Sequence, residues 1–350
     1  AINGGLVKTT GAQTYGEWAT LGANTTLQGV NVAFASTVDS VGSTPFSLTI
    51  NDSGTTVLGG SVGALHALSS LTTDAATTAA GETHIKGAQI ITTGDAVFND
   101  IVKVFNDVQL QTGGDLKFMQ TVNALQSLEV LNSNSTTFTG LVTAANSVVL
   151  TDTADAHVIA FNGGLTTPTF TVAAEPFALT LRGAVNVNNG IHLANTGALQ
   201  LNGSLTTHNQ AVTVGQAGQT ATLLANTTFD SGTATTTVNG NLSGSAYTVS
   251  FASPVSFSGP STLTANTITF SQGVVAAGDL TLNGATVVNG GSVNSGSHTQ
   301  TYNGAVTVGG LASSTTTFTG VGMTFGSTLD GTSRVVVADS GNTTYTGAIG

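Results

Sequence analysis

The phrases that decide the fold occur late in the chain: Asn289-Gly290-Gly291, Gln300-Thr301-Tyr302 and Ala305-Val306-Thr307-Val308-Gly309. The same order occurs early in the chain, as Asn3-Gly4-Gly5, Gln13-Thr14-Tyr15 and Ala19-Thr20-Leu21-Gly22. Two further phrases recur, Thr-Thr-Phe-Thr-Gly at 136–140 and 316–320, and Leu-x-Leu-Asn-Gly at 199–203 and 280–284. The offsets between copies lie near multiples of about 20 residues, a period typical of stacked repeats. The sequence therefore predicts a repeat architecture.

Within the repeats, apolar and polar residues alternate. Phe46-Ser47-Leu48-Thr49-Ile50 and Leu280-Thr281-Leu282 have the period of two that marks a half-buried strand. Asn-Gly and Gly-Gly pairs separate such segments and supply the positive-φ positions that tight turns need. The pairs stand at 3–5, 162–164, 202–203, 283–284 and 289–291. Strands and turns in this order fit a hairpin protein or the coils of a solenoid.

The solenoid is favoured because stacked coils pair nearly every strand edge, and because Thr and Asn can form ladders between coils. We therefore predict an all-β, right-handed parallel β-helix with coils of about 20 residues. It is expected to run as one continuous solenoid over 1–350 and to be least regular at about 60–131, where a short helix or a loop is an alternative. The Ala- and Leu-rich parts of that stretch are Gly63–Leu71, Asp74–Glu82 and Met119–Leu131. The chain is expected to be a processed piece or fragment of a larger protein.

The composition excludes several function classes. Only 7% of the residues are charged, and 17 acidic residues against 6 basic ones give a net charge of −11. A nucleic-acid partner needs a clustered basic surface, which this sequence does not provide. There is no cysteine, and so no thiolate chemistry. No segment approaches the roughly 20 apolar residues of a membrane span, so direct membrane insertion is not expected.

The nearest approach to a catalytic site is the carboxylate pair Asp152 and Asp155, in a Thr-Asp-Thr-Ala-Asp-Ala-His segment. Such pairs serve polysaccharide-cleaving enzymes, but the nearest Lys and Arg are distant, at Lys117 and Arg182. A solvated turn is the preferred interpretation. A second acidic group could hold a weak calcium ion, although surface solubilisation is favoured there; it comprises Asp95, Asp100, Asp107 and Asp115, beside Lys103 and Lys117.

The remaining candidates also favour structural roles. The His residues at 66, 84, 157, 192, 208 and 298 have no ligand spacing and are expected in turns or at the surface. Trp18 is expected to pack against one coil. No nucleophile elbow or phosphate-binding glycine loop occurs. We therefore predict no catalytic, cofactor-binding or metal-binding residues and no cofactor.

Several phrases resemble the β-strand repeats of filamentous-haemagglutinin-like exoproteins, the large adhesins of Gram-negative bacteria. They are Thr9-Thr10-Gly11-Ala12-Gln13-Thr14-Tyr15, Leu21-Gly22-Ala23-Asn24-Thr25-Thr26-Leu27 and Ser70-Leu71-Thr72-Thr73-Asp74-Ala75. The resemblance implies a β-helical shaft, export to the outer surface, and a role in adhesion or surface structure. The Asn-Pro-Asn motif of the two-partner secretion domain is missing, so no functional residue of the family is carried over.

The function expected from the sequence is that of a secreted or surface-bound structural or adhesive rod. Its partner would be a host or surface receptor, or a second copy, because repeat phrases without a capping unit favour end-to-end assembly into a fibre, sheath or surface layer. The alternatives are a polysaccharide-acting β-helix enzyme that uses Asp152 and Asp155, and an ice-binding solenoid, for which the Thr spacing is too irregular.

Overall fold

The structure, a computed structural model, describes residues 1–74, 81–152, 157–310 and 314–350. The chain is a β-solenoid of about 16 turns with about 20 residues per coil. Within the four described ranges, the strand pairings are parallel and there is no helix. The predicted all-β solenoid is therefore confirmed. The chain forms two compact units, Ala1–Thr180 and Leu181–Gly350, and a single continuous solenoid over 1–350 stays a prediction.

In the first unit the coils form three faces, named here in chain order, and one coil lacks a strand on the third face. The first face contains β1 (Leu6–Lys8), β4 (Thr25–Gly29), β7 (Ser47–Asp52), β9 (Ser70–Thr73), β12 (Ala96–Phe98), β15 (Asp115–Phe118), β18 (Ser135–Phe138) and β21 (Val158–Phe161). The second contains β2 (Gln13–Tyr15), β5 (Val32–Phe34), β8 (Thr55–Leu58), β10 (Glu82–Ile85), β13 (Ile101–Val104), β16 (Val122–Ala124), β19 (Val142–Ala144) and β22 (Leu165–Thr167). The third contains β3 (Ala19–Leu21), β6 (Val38–Ser40), β11 (Gln89–Thr92), β14 (Val108–Thr112), β17 (Leu128–Asn132), β20 (Ser147–Leu150) and β23 (Thr169–Val172). Strand β24 (Ala178–Arg182) contains the boundary of the unit.

In the second unit the first and second faces merge into long strands over several coils. It begins with β25 (Val185–Val187), and its long strands are β27 (Leu199–Thr207), β29 (Thr220–Asp230), β31 (Asn241–Phe251), β33 (Ser261–Phe270) and β35 (Leu280–Val288). The third face contains β26 (Ile191–Leu193), β28 (Val212–Val214), β30 (Thr236–Val238), β32 (Val255–Phe257), β34 (Val274–Ala276), β36 (Ser292–Asn294), β39 (Thr315–Gly320) and β42 (Arg334–Asp339). The two faces separate again in β37 (Gln300–Tyr302), β38 (Val306–Val308), β40 (Met323–Phe325), β41 (Leu329–Gly331) and β43 (Thr343–Tyr345).

The core consists of inward side chains that repeat from coil to coil. In β15, Leu116 and Phe118 are buried while Asp115 and Lys117 alternate with them on the outward side. The in-register pairing of β12 with β15 places Phe98 beside Phe118. The stack continues through Phe138 to Phe161, with ring centroids 4.7–4.9 Å apart and nearly parallel planes. The spacing between parallel strands thus sets the ring spacing directly.

The second unit also contains stacks of aromatic rings from successive coils. One stack comprises Phe229, Phe251 and Phe270, with centroids 5.2 and 5.4 Å apart. A later stack comprises Tyr302, Phe325 and Tyr345, at 5.0 and 5.3 Å. In both units, stacked aromatic rings from successive coils therefore form part of a core whose other members are mainly Val, Leu and Ile.

The stretch at 60–131 is regular from β10 onward, and the described part of it contains no helix. Its least regular part follows β8, where Val62 makes only isolated bridges, to Val38 and Ile90. The Asp74–Glu82 segment falls mostly on 75–80, outside the described residues.

The recurring Leu-x-Leu-Asn-Gly phrase marks the bend within a long strand. Gly203 and Gly284 both have positive φ, 121° and 153°, and the pairing register shifts beside each phrase. A Cβ on Gly284 would lie 2.0 Å from the Ala265 carbonyl oxygen of the preceding coil. The phrase therefore needs glycine for both its backbone angle and its close approach.

We expect Gly284→Ala to lower the free energy of unfolding by about 1–3 kcal/mol, because alanine adds strain at positive φ and contacts the neighbouring coil too closely. The matched control is Gly259→Ala, where no heavy atom lies within 4 Å of the added Cβ. Urea denaturation followed by circular dichroism measures both. Equal stability of the two variants would contradict this explanation of the phrase.

Candidate functional site

The predicted carboxylate pair is not available as a surface site. Asp152 is completely buried, and its Oδ2 accepts hydrogen bonds from the Ser133 amide at 3.2 Å and the Ser133 hydroxyl at 3.1 Å. Interpreting Asp152 as part of a solvated turn was therefore wrong, because its carboxylate ties one coil to the next. Asp155 lies outside the described residues.

A second group of acids lies buried at one corner of the first unit. The Asp52 amide donates to Asp74 Oδ1 at 2.8 Å, and the Asp100 carboxylate accepts hydrogen bonds from the hydroxyls of Thr73 and Thr83. Within the described residues, no donor reaches Asp74 Oδ2. Burial, followed by the neighbouring Asp100 and Asp52 carboxylates, raises the pKa of Asp74 to about 7. Burial likewise raises the pKa of Asp100, so this corner retains a proton near neutral pH.

The acids proposed as a weak calcium site have separate structural partners. Asp95 Oδ1 accepts the Asp115 amide at 2.8 Å, and Asp107 Oδ1 accepts the Ser127 amide at 2.9 Å. Lys117 lies 2.8 Å from Asp115, and this hydrogen bond is the main cause that lowers the Asp115 pKa to about 2. In the four described ranges, no three His, Asp or Glu side chains form a group able to hold a metal ion.

Two of the other sequence candidates lie beside one carboxylate. Lys103 pairs with Glu82 at 2.8 Å, and His84 lies 2.9 Å from the same carboxylate. This cluster is partly exposed, where ion pairs contribute little to stability. Trp18 is 68% exposed, so the prediction that it packs against a coil is wrong.

The outward side of the third face forms a groove in the first unit that the sequence did not predict. The groove has a volume of about 420 Å³. Its central row is a hydrogen-bonded ladder: Gln89 Nε2 donates to Gln109 at 3.2 Å, and Gln109 Nε2 donates to Glu129 at 3.0 Å. The Thr151 hydroxyl donates to the other Glu129 oxygen at 3.2 Å. The row therefore satisfies much of its own hydrogen-bonding capacity and contains a carboxylate.

A larger groove, of about 650 Å³, lies on the third face of the second unit. Its central row follows the in-register pairing from β30 to β39: Thr237, Ser256, Val275, Asn294 and Thr319. A second row comprises Thr235, Pro254, Gly273, Ser292 and Thr317. Thr237 and Ser256 in the central row place hydroxyl groups on adjacent coils, one strand spacing of about 4.8 Å apart, and Ser292 and Thr317 do the same in the second row.

The hydroxyls of the larger groove are free to bind an external group. Thr237, Ser256 and Thr319 are partly exposed, and their hydroxyls have no hydrogen-bond partner in the described part of the protein. The side chain of Val275 is 55% exposed in the middle of the row. No lining residue is ionisable. The groove therefore offers a neutral surface that combines hydroxyls with exposed apolar side chains.

No protein-family model, curated protein or solved structure matches this chain. Within the described residues there is also no helix long and apolar enough to cross a membrane.

Proposed function

We propose that this protein is a structural or adhesive repeat protein of a bacterial cell surface or the extracellular space. The observation that carries the proposal is the outward groove on the third face of the second unit, built from five successive coils on a core of stacked rings. A stiff stack of coils holds such a row in register, as an adhesive surface requires. The resemblance to filamentous-haemagglutinin-like repeats supports the same function.

The low charge of the chain is consistent with this role. A surface with few ionic groups binds through hydrogen bonds and apolar contact, so its adhesion should depend little on salt. The partner is a receptor on the opposing surface or a second copy of the chain. An enzymatic role for Asp152 finds no support, because a buried carboxylate does not contact a polymer.

We expect beads coated with the full chain to adhere to epithelial monolayers and to bacterial lawns more than albumin-coated beads do. Adhesion should persist at about 0.5 M salt, where the Debye length is only a few ångströms. Sedimentation velocity of the soluble protein, run in parallel, separates self-association from attachment to a second surface. Adhesion no greater than that of albumin on every surface would overturn an adhesive role.

A further inference from the structure

We infer that the groove of the second unit binds an uncharged polysaccharide. The inference rests on the proposed adhesive function and assigns the ligand class to this surface. Its central row presents Thr237, Ser256 and Thr319 with free hydroxyls, and these groups both donate and accept hydrogen bonds. A sugar chain presents the same two-way hydroxyl chemistry along its length.

The absence of charge in the lining selects among polymers. None of the twelve lining residues is ionisable, and the chain as a whole has a net charge of −11. A polyanion such as a uronate or a sulfated glycan would meet no cation in the groove and would be repelled by the protein overall. A cationic peptide would find no carboxylate with which to pair. An uncharged polymer is not repelled by the protein and needs no ionic partner in the groove.

The apolar part of the groove supplies the second half of the recognition. Val275 stands 55% exposed in the central row, and Pro254 lines the row beside it. Pyranose rings have an apolar C–H side as well as hydroxyl edges, so a surface with both kinds of group fits them. Binding sites generally combine apolar contact with a few polar groups that fix orientation.

The groove of the first unit is less suited to a polysaccharide than the groove of the second unit. There the ladder from Gln89 through Gln109 to Glu129 uses its donors and acceptors internally. A ligand would have to break those hydrogen bonds, and the Glu129 carboxylate would accept but not donate. The two grooves occupy the same face of their units and differ in this chemistry.

The test is affinity electrophoresis of the full chain through gels containing soluble neutral polymers (a mixed-linkage β-glucan, a galactomannan or dextran) and, separately, polygalacturonate or heparin. We expect retardation by at least one neutral polymer and none by the polyanions. Val275→Asp should weaken the retardation at least tenfold, and Thr237→Val several-fold. The control Thr171→Val removes an exposed hydroxyl from the outward side of the third face in the first unit and should change nothing.

Circular dichroism establishes that each variant is folded, and only folded variants are compared. Equal retardation of all variants, or retardation by polyanions alone, would overturn the inference. Adhesion of the beads that survives Val275→Asp would leave the adhesive function intact and remove this groove from it. Adhesion that resists periodate treatment of the monolayer but is lost after protease treatment would identify a protein partner, which also overturns the inference.

Discussion

Replacing Phe118 with alanine is expected to lower the free energy of unfolding by about 3–5 kcal/mol, the range for deleting a buried aromatic side chain. Its ring is completely buried between Phe98 and Phe138, with both centroid distances 4.9 Å. Truncation leaves a cavity with an aromatic ring on each side. Each coil packs only against its neighbours and has no core of its own, so no other side chains are placed to fill the cavity. Urea denaturation followed by far-ultraviolet circular dichroism measures the effect.

The matched control is Met119→Ala, one residue further along the chain, where the side chain is 44% exposed. We expect a change within about 0.5 kcal/mol there, as for other surface substitutions. Phe118→Leu, which keeps much of the apolar volume, should fall between the two. A loss for Phe118→Ala no greater than that for Met119→Ala would show that the stacked rings do not hold the coils together.

The coil type could be predicted from the sequence because the repeated phrases are local packing solutions. Tyr15 stacks on Phe34 and donates its hydroxyl to Gln13, and Tyr302 stacks on Phe325 and donates to Gln300. The position of each phrase in its coil could not be predicted. The early copy of Gln-Thr-Tyr forms β2, and the next strand along the chain lies on the third face. The late copy forms β37, and a further strand, β38, comes before the third face. A strand with alternating inward and outward side chains, followed by a turn, fits any of the three faces. The phrase alone therefore does not show which face its strand occupies.

The same limit applies to the candidate site. The groove of the second unit depends on which outward residues of five coils share a row, and that register follows from turn lengths that vary between coils. The burial of Asp152 was missed for a related reason, since Asp in a polar segment is usually exposed. Its partner Ser133 lies one coil earlier, beyond any local pattern.

The stability of the first unit is expected to fall as pH rises from about 4 to about 7 and to level off above that. The pKa of Asp74 is raised to about 7 in the folded protein, from an ordinary value of 3.8. The folded state therefore keeps a proton that the unfolded chain releases, so the stabilisation is complete at low pH and is lost as pH rises through about 7. A shift of this size corresponds to roughly 2–4 kcal/mol.

The physical origin is the buried corner at Asp74. Its side chain is only 5% exposed, and the nearby carboxylates of Asp52 and Asp100 are acceptors, not donors. The neighbouring carboxyl groups of Asp74 and Asp100 avoid mutual repulsion when one of them is protonated. No lysine, arginine or histidine contributes to the pKa shift of either group. The segment at 75–80 contains only Ala and Thr, so it adds no ionisable group. Ionisation above about pH 7 thus leaves unpaired negative charge in the interior.

Asp74→Asn should remove this slope, because the amide keeps an acceptor for the Asp52 amide and supplies a permanent donor toward Asp100. Asparagine also tolerates the positive φ of 51° found at this position. We therefore expect the variant to match the parent near pH 4 and to exceed it in stability by an amount that grows until about pH 7, as measured by urea denaturation from pH 4 to pH 8.

Asp279→Asn is the control for Asp74→Asn. Asp279 accepts hydrogen bonds from the Thr299 amide and hydroxyl, and these hold its pKa below 3.8. Because its titration is complete below pH 5, its replacement should leave the slope between pH 5 and pH 7 intact. An unchanged slope in Asp74→Asn would instead show that Asp74 is not the group whose ionisation lowers the stability of the folded protein.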